Sequence, residues 1–269
     1  MGESPSGLTK SLLAPDTGKM QLIILGSGVG VPTSKRSAPG LCIEVRNQPI
    51  LFDSGSGVAY QIPKAGVDYH QINHIFYTHV DHPDHINDLS EIIFANKYDY
   101  PRRKKDLDIT GPIGMRRFYE NLKRLFPIIE NPPFSVNIRE VEDSQVKFDG
   151  ILVESKPLHH QDVRSVGYRL EFEGKSIVYS GDTDYCDNLV GLAKKSDLLV
   201  VESSFPDEFK VDGHLTPSLA GKVAHKAGVK KLLLTHLYPV CDQYDIVKQA
   251  RKTYGGDIII AEDLMVIEV

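Results

Sequence analysis

Between residues 77 and 85 the chain reads Tyr77-Thr78-His79-Val80-Asp81-His82-Pro83-Asp84-His85, three histidines and two aspartates in what reads as a strand-to-helix turn. Ten histidines in 269 residues would place about a quarter of one in any seven positions, so three between 79 and 85 is a large excess. Neutral imidazole and carboxylate are the usual N and O donors to zinc and its neighbours, and a loop lets adjacent side chains converge. Taken singly, Asp81 or Asp84 would serve as a helix cap that accepts backbone N–H bonds. A hydrolytic site needs further ligands from elsewhere, so the fold must bring distant strand ends to this turn.

Three such ends stand out. In Leu158-His159-His160-Gln161 one of the two histidines fits a ligand, and His160 is favoured over His159. In Ser180-Gly181-Asp182-Thr183 an aspartate leaves an apolar strand at a glycine turn, where its two oxygens can bridge two cations; alone this is an ordinary turn. His236 follows a strand directly in Leu234-Thr235-His236-Leu237-Tyr238. The apolar runs 20–25, 41–45, 50–52, 74–77, 176–179, 198–201, 231–234 and 258–260 are short and β-rich, while segments near 85–97, 113–125, 188–195, 216–227 and 243–254 carry helical spacing. The alternation predicts a mixed α/β fold with two sheets packed between helices. Residues 1–19, rich in Ser, Pro, Gly and Lys, read as a flexible leader, and 20–269 as one domain.

Composition narrows the function classes. No apolar run approaches the roughly 20 residues of a membrane span, and no basic region followed by an apolar stretch marks a secretory signal, so no membrane partner is expected. Cys42, Cys186 and Cys241 are odd in number and lack CxxC spacing, which fits a reducing, cytoplasmic setting better than a disulfide framework. A formal charge of -5 argues against a protein whose main task is to coat nucleic acid. A local basic patch is offered by Arg102, Arg103, Lys104 and Lys105 with Arg116, Arg117, Lys123 and Arg124, either as solvated surface or facing phosphate. Gly26, Gly28 and Gly30 invite a dinucleotide reading, but GxGxxG needs glycine where Val31 stands and Pro32 opposes a helix start, leaving a Gly-rich loop.

The order of a histidine cluster, a later histidine, an aspartate and a C-terminal histidine resembles the metallo-β-lactamase superfamily over nearly all of residues 20–269. Leu25-Gly26-Ser27-Gly28, Leu51-Phe52-Asp53-Ser54-Gly55, Gly167-Tyr168-Arg169 and Gly213-His214-Leu215-Thr216 resemble its ribonuclease Z branch and that branch's phosphodiesterase relatives. The implied fold is a four-layer αβ/βα sandwich of two mixed β-sheets flanked by helices. The family cluster is HxHxDH; this chain has one residue more, and removing Asp81 restores the pattern. The resemblance then implies His79, His82 and His160 at one metal, Asp84, His85 and His236 at a second, and Asp182 bridging. Sliding the alignment instead offers Asp81 as a ligand, as in diiron relatives, and a local bulge would let all these side chains reach the site.

The resemblance implies two divalent ions, zinc first with manganese or iron as alternatives, and hydrolysis by water activated between them. Asp84 would orient that water, His214 would donate a proton or bind phosphate near the leaving group, and Asp53 would support rather than bind metal. Ribonuclease Z usually carries a tRNA-grasping arm between its GYR and GDT strands; here only Leu170 to Ser180 intervene. The expected activity is therefore hydrolysis of small phosphodiesters or cyclic nucleotides, with tRNA 3′ processing as the alternative if the basic segment replaces the arm. A lactone or sulfate ester, a metal-poor binding module and a redox diiron protein are further readings. RNA and a second copy of the chain stay open as partners.

Overall fold

The computed structural model describes residues Met20–Val269, so the leader reading of 1–19 lies outside the described residues. Strands β1 (Met20–Gly26), β2 (Gly40–Val45), β3 (Gln48–Phe52), β4 (His74–Phe76), β5 (Leu107–Pro112) and β6 (Val136–Val141) belong to one sheet. The second sheet holds β7 (Ser144–Phe148), β8 (Ile151–His160), β9 (Val163–Phe172), β10 (Lys175–Tyr179), β11 (Leu198–Glu202), β12 (Lys231–Thr235) and β13 (Asp257–Ile260). The chain then returns as β14 (Val266–Glu268) to pair antiparallel with β1 on the first sheet. Both sheets are mixed: β3 to β6 run parallel to their neighbours, as do β10 to β13, while the remaining pairs are antiparallel.

Alternation along the strands explains the layering. In β1, Leu22 and Ile24 face the apolar layer between the sheets, whereas Ile23 and Leu25 face a second layer. Helices α1 (Val58–Lys64), α2 (Pro83–Ile86), α3 (Leu89–Tyr98) and α4 (Met115–Leu125) cover that second layer. In β11, Leu198 and Val200 point inward, and Leu199 and Val201 pack toward α5 (Asp187–Leu192), α6 (Pro217–Ala227) and α7 (Ile246–Ala250). Successive side chains of a strand point to opposite faces, so a strand covered on both sides must be apolar throughout. The expected four-layer sandwich of two mixed sheets flanked by helices is thus the observed one.

The expected helix near 85–97 is two helices, because Asp88 turns its carboxylate to the backbone N–H groups of Gly57 and Ala59, both at 2.9 Å, and caps the start of α1. The same contact region shows why Leu51-Phe52-Asp53-Ser54-Gly55 has its composition. Ser54 N donates to His85 O at 2.7 Å and its carbonyl accepts from Asp88 N, so α2 lies directly on the end of β3. A Cβ on Gly55 would stand 1.7 Å from the carbonyl oxygen of Asp84, and only glycine permits that approach.

Gly55→Ala is therefore expected to destabilise the fold by at least about 1–3 kcal/mol through overpacking, read as a lowered urea midpoint. Gly191→Ala, on α5 where an added Cβ meets nothing within 4 Å, should change stability by less than about 1 kcal/mol. Equal effects of the two substitutions would refute this account of the β3–α2 contact.

Candidate metal centre

Both sheets end at the same rim, and the histidine cluster sits there. His82 takes the position before α2 with extended backbone, φ -110° and ψ 128°, so the residue additional to the family pattern is taken up by loop rather than forced into a helical turn. His79 and His82 consequently point to one centre, with His79 Nε2 3.2 Å from His82 Nδ1, and His160 Nε2 lies 3.3 Å from the same Nδ1. Asp81 is exposed and lies outside this gathering. Strand alternation at the end of β8 buries His160 and exposes His159. His79, His82, His160 and Asp182 each offer a ligand atom within 4.8 Å of the others, and so do Asp84, His85 and His236.

Asp182 joins the two sets. Its Oδ1 lies 3.1 Å from His85 Nε2 and 3.2 Å from His236 Nε2, while Oδ2 faces His160 Nε2 at 3.9 Å. Asp84 Oδ2 is 3.6 Å from His236 Nε2 and accepts the backbone N–H of Gly30 at 3.0 Å, which gives the Gly-rich loop a role in orienting that carboxylate.

Hydrogen bonds on the far side of each ring decide what faces the centre. His85 Nδ1 donates to Asp53 at 2.7 Å, and His160 Nδ1 donates to the Gly213 carbonyl at 2.9 Å. The Thr78 hydroxyl donates to Asp53 and so accepts from His79 Nδ1; the Ser204 hydroxyl donates to Glu202 and so accepts from His236 Nδ1. With Nδ1 protonated in all four neutral rings, each Nε2 presents a lone pair. His85 Nε2, His236 Nε2 and Asp182 Oδ1 are buried with no hydrogen-bond partner. Several buried acceptors crowded together are costly unless a positive charge lies among them. The donor set therefore fits divalent cations.

The ionisation directions express the same demand. Burial alone would depress the His85 imidazole, but the Asp182 and Asp53 carboxylates raise it well above its ordinary value, so that without an ion a proton takes the Nε2 side that a cation would occupy and the neutral ring is the metal-loaded form. Burial and the surrounding imidazoles keep His79 well below the ordinary value, and burial lowers His160. Although burial opposes ionisation of Asp84, the bond to His236 and the charges of His85 and His236 hold its carboxyl well below the usual range. His214 stands beside the centre, its ring 4.9 Å from that of His160, and belongs to a third convergent set with Asp182 and His236.

Glu202 was not among the residues singled out from sequence. Fully buried at the end of β11, it accepts from His214 Nδ1 at 2.9 Å, from Thr183 N at 2.8 Å and from Leu215 N at 3.1 Å, as well as from Ser204. The available signal was a lone acid closing the apolar run Leu198-Leu199-Val200-Val201. Within the basic segment, Arg103 is buried and bonded to the Lys105, His70 and Asp106 carbonyls, so it holds loops together and does not face solvent.

Burial would lower His214, but its bond to Glu202 raises it to about 8. Such a group contributes stability that is complete below its unfolded value near 6.5 and lost as pH rises through about 8. In chelated protein, Glu202→Gln should move the His214 titration followed by NMR to lower pH and flatten the stability profile across that window. An unmoved titration would show that Glu202 does not set it.

Residues 48–237, well over half the chain, match the beta-lactamase superfamily domain. Ribonuclease Z of Streptomyces coelicolor is 30% identical over 304 aligned positions, covering 93% of this chain and 97% of that protein; about fifty of those positions have no residue here. The crystal structure of the metallo-β-lactamase fold protein YhfI from Bacillus subtilis superposes with a TM-score of 0.81 at 22% identity, covering 94% of this chain and all of that one. Human tRNase Z, short form, gives 0.77 at 24% identity, covering 92% and 98%. The chain belongs to the metallo-β-lactamase superfamily of metal-dependent hydrolases.

Proposed function

We infer that the protein is a dinuclear phosphodiesterase acting on small phosphodiesters, cyclic nucleotides among them. The observation that carries this reading is the convergence of three imidazoles, His85, His160 and His236, on the two oxygens of one buried carboxylate, Asp182, with His79 and His82 in the same cluster. His79, His82, His160 and Asp182 would hold one ion, and Asp84, His85, His236 and Asp182 the other. Histidine and carboxylate donors favour zinc, with manganese or iron as alternatives. Two such ions, when bound, supply charge stabilisation at a phosphoryl centre and a lowered pKa for water.

The remaining work falls to side chains. Asp84, ionised and fixed by Gly30 N, accepts a hydrogen bond from an attacking water and orients it. His214 donates through Nδ1 to Glu202, so Nε2 is the atom free to act. With its pKa raised to about 8, Nε2 carries a proton at neutral pH and can give it to a departing alkoxide. Asp53 keeps His85 in the tautomer the centre requires.

The absence of an arm favours small substrates. Strands β9 and β10 are joined by Glu173 and Gly174 alone, both at positive φ as a tight hairpin turn requires. Processing of tRNA 3′ ends is the second reading, favoured by the relatives that bear the name ribonuclease Z.

Elemental analysis should find about two metal ions per chain, and hydrolysis of bis(p-nitrophenyl) phosphate should vanish on chelation and return with zinc or manganese; one ion or none, without turnover, would sink the dinuclear reading. His214→Ala should lower kcat on a dinucleoside phosphate about 10²- to 10⁴-fold and much less on bis(p-nitrophenyl) phosphate, whose leaving group needs no proton. Equal losses on the two substrates would remove His214 from proton donation.

A further inference from the structure

Beside the metal centre runs a second concavity of about 490 Å³, which the site described above does not use. Its inner edge is Val80 and Asp81, the two residues between His79 and His82, so it begins one peptide unit, about 3.8 Å along the chain, from a candidate ligand. Arg117 lines it from α4, and Arg164 lines it from β9. One wall is therefore a helix packed on the first sheet and the other a strand of the second, and the groove lies across the same rim as the centre.

Both guanidinium groups belong to exposed residues, and among the described residues neither makes an ion pair or side-chain hydrogen bond. That is notable because Asp81 and Asp162 line the same groove, yet neither carboxylate comes within 4.0 Å of a guanidinium nitrogen. Of the neighbouring cations, Arg116 donates to the Ile138 carbonyl, Lys123 pairs with Glu120, and Arg103 is buried. Arg117 and Arg164 are thus two planar, fork-shaped donors held over an open groove with their hydrogen-bonding capacity unused. Such a pair suits phosphate oxygens, which accept bidentate guanidinium bonds. Phe118 adds an apolar surface to the same lining, suited to a sugar or base.

A scissile phosphate must lie at the histidine and aspartate centre, so an anion between these arginines is a second one. We propose that Arg117 and Arg164 form a subsite for a phosphate adjacent to the scissile one, which makes short linear nucleotides with two or more phosphodiester links preferred over single-link or cyclic diesters. This inference rests on the phosphodiesterase reading and narrows its substrate class. Asp81 and Asp162 then bound the subsite, repelling any anion that is not placed between the two guanidiniums.

The test compares UpUpU, with two links, against UpU, with one, in the metal-loaded enzyme. The ratio of their kcat/KM values should fall about tenfold or more in Arg117→Ala and in Arg164→Ala, with the loss in KM. Independently of turnover, fluorescence anisotropy of fluorescein-labelled UpUpU in chelator should show weaker binding by each variant. The slope of log Kd against log salt should shrink by about 0.7 for each phosphate contact removed. Arg117→Lys should retain part of the effect, and unchanged melting of all variants shows that the fold is intact. A kcat/KM ratio and a chelated affinity both within twofold of wild type would overturn the proposal and leave the arginines as solvated surface charge. Failure to hydrolyse bis(p-nitrophenyl) phosphate with two metals bound would instead sink the phosphodiesterase reading, and the anisotropy result would still decide the subsite.

Discussion

Asp53 is fully buried and accepts four hydrogen bonds: from Thr78 N at 2.8 Å, Thr78 Oγ1 at 2.9 Å, His85 Nδ1 at 2.7 Å and Tyr179 OH at 2.9 Å. A buried carboxylate is tolerable only when its lone pairs are filled in this way. The donors come from the end of β4, from α2 and from β10 in the other sheet, so one side chain fastens the metal loop and joins both halves of the sandwich at their common rim. Its backbone adopts φ 56°, an unfavourable conformation for a residue other than glycine, held there by the bonds that surround it. Tyr168 OH, bonded to the Tyr77 carbonyl at 2.8 Å, and Val166 N, bonded to Thr78 O at 2.9 Å, add two more ties between the sheets at that loop.

From this fastening the polarity of the site follows outward. Because Asp53 and Thr78 accept hydrogen bonds from the Nδ1–H groups of His85 and His79, those rings in their neutral form show lone pairs to the centre; Gly213 and Ser204 do the same for His160 and His236. Ser204 can play its part only because its hydroxyl donates to Glu202, and the other oxygen of Glu202 holds His214. One carboxylate behind each half of the site therefore sets the rings in front of it, Asp53 those of His79 and His85 and Glu202 those of His236 and His214, while the Gly213 carbonyl sets His160. A centre made wholly of acceptors is unfavourable when empty, and ions that bind the folded state alone stabilise it by mass action. Folding and metal loading are coupled in such an arrangement.

The parts of this design that were legible in sequence are those with a periodic or compositional signature. Strands covered on both faces read as apolar runs, and the excess of histidines marked the loop. The choice of His160 over His159 agrees with the alternation of β8, which buries one and exposes the other. None of the apolar runs covers β5 to β9 or β14: β6 and β7 are largely solvent-exposed and mostly polar, as in Ser144-Gln145-Val146-Lys147-Phe148, while β5, β8 and β9 interleave polar residues with the buried ones, as in Leu107-Asp108-Ile109-Thr110. Asp88 was hidden for a different reason: it interrupts a helical pattern to cap another helix, a long-range bond that spacing does not record. Glu202 lacked a motif, and its importance lies in four partners separated from it by up to nineteen residues. Arg103 read as surface charge because composition counts a guanidinium without knowing that three carbonyls enclose it.

The additional residue in the histidine cluster shows how much variation such a centre absorbs. A helix starting at His79 would rotate each later side chain by about 100° for one inserted residue, and His82 would leave the centre. The segment instead bends at Val80, Asp81 and His82 without a helical turn, His82 itself keeps extended φ and ψ, and α2 begins only at Pro83, whose missing N–H suits the first helical position. Downstream of that proline the spacing of Asp84 and His85 is fixed by helix geometry and by the bonds from Gly30, Ser54 and Asp53 to this short helix. Upstream, Thr78 and His79 are fixed by Asp53. The length of loop between these two anchored ends is the free variable, and the added residue turns outward to become the lip of the neighbouring groove. An insertion at a position anchored on both sides changes the wall next to the site while leaving the convergence of His79, His82 and His160 in place.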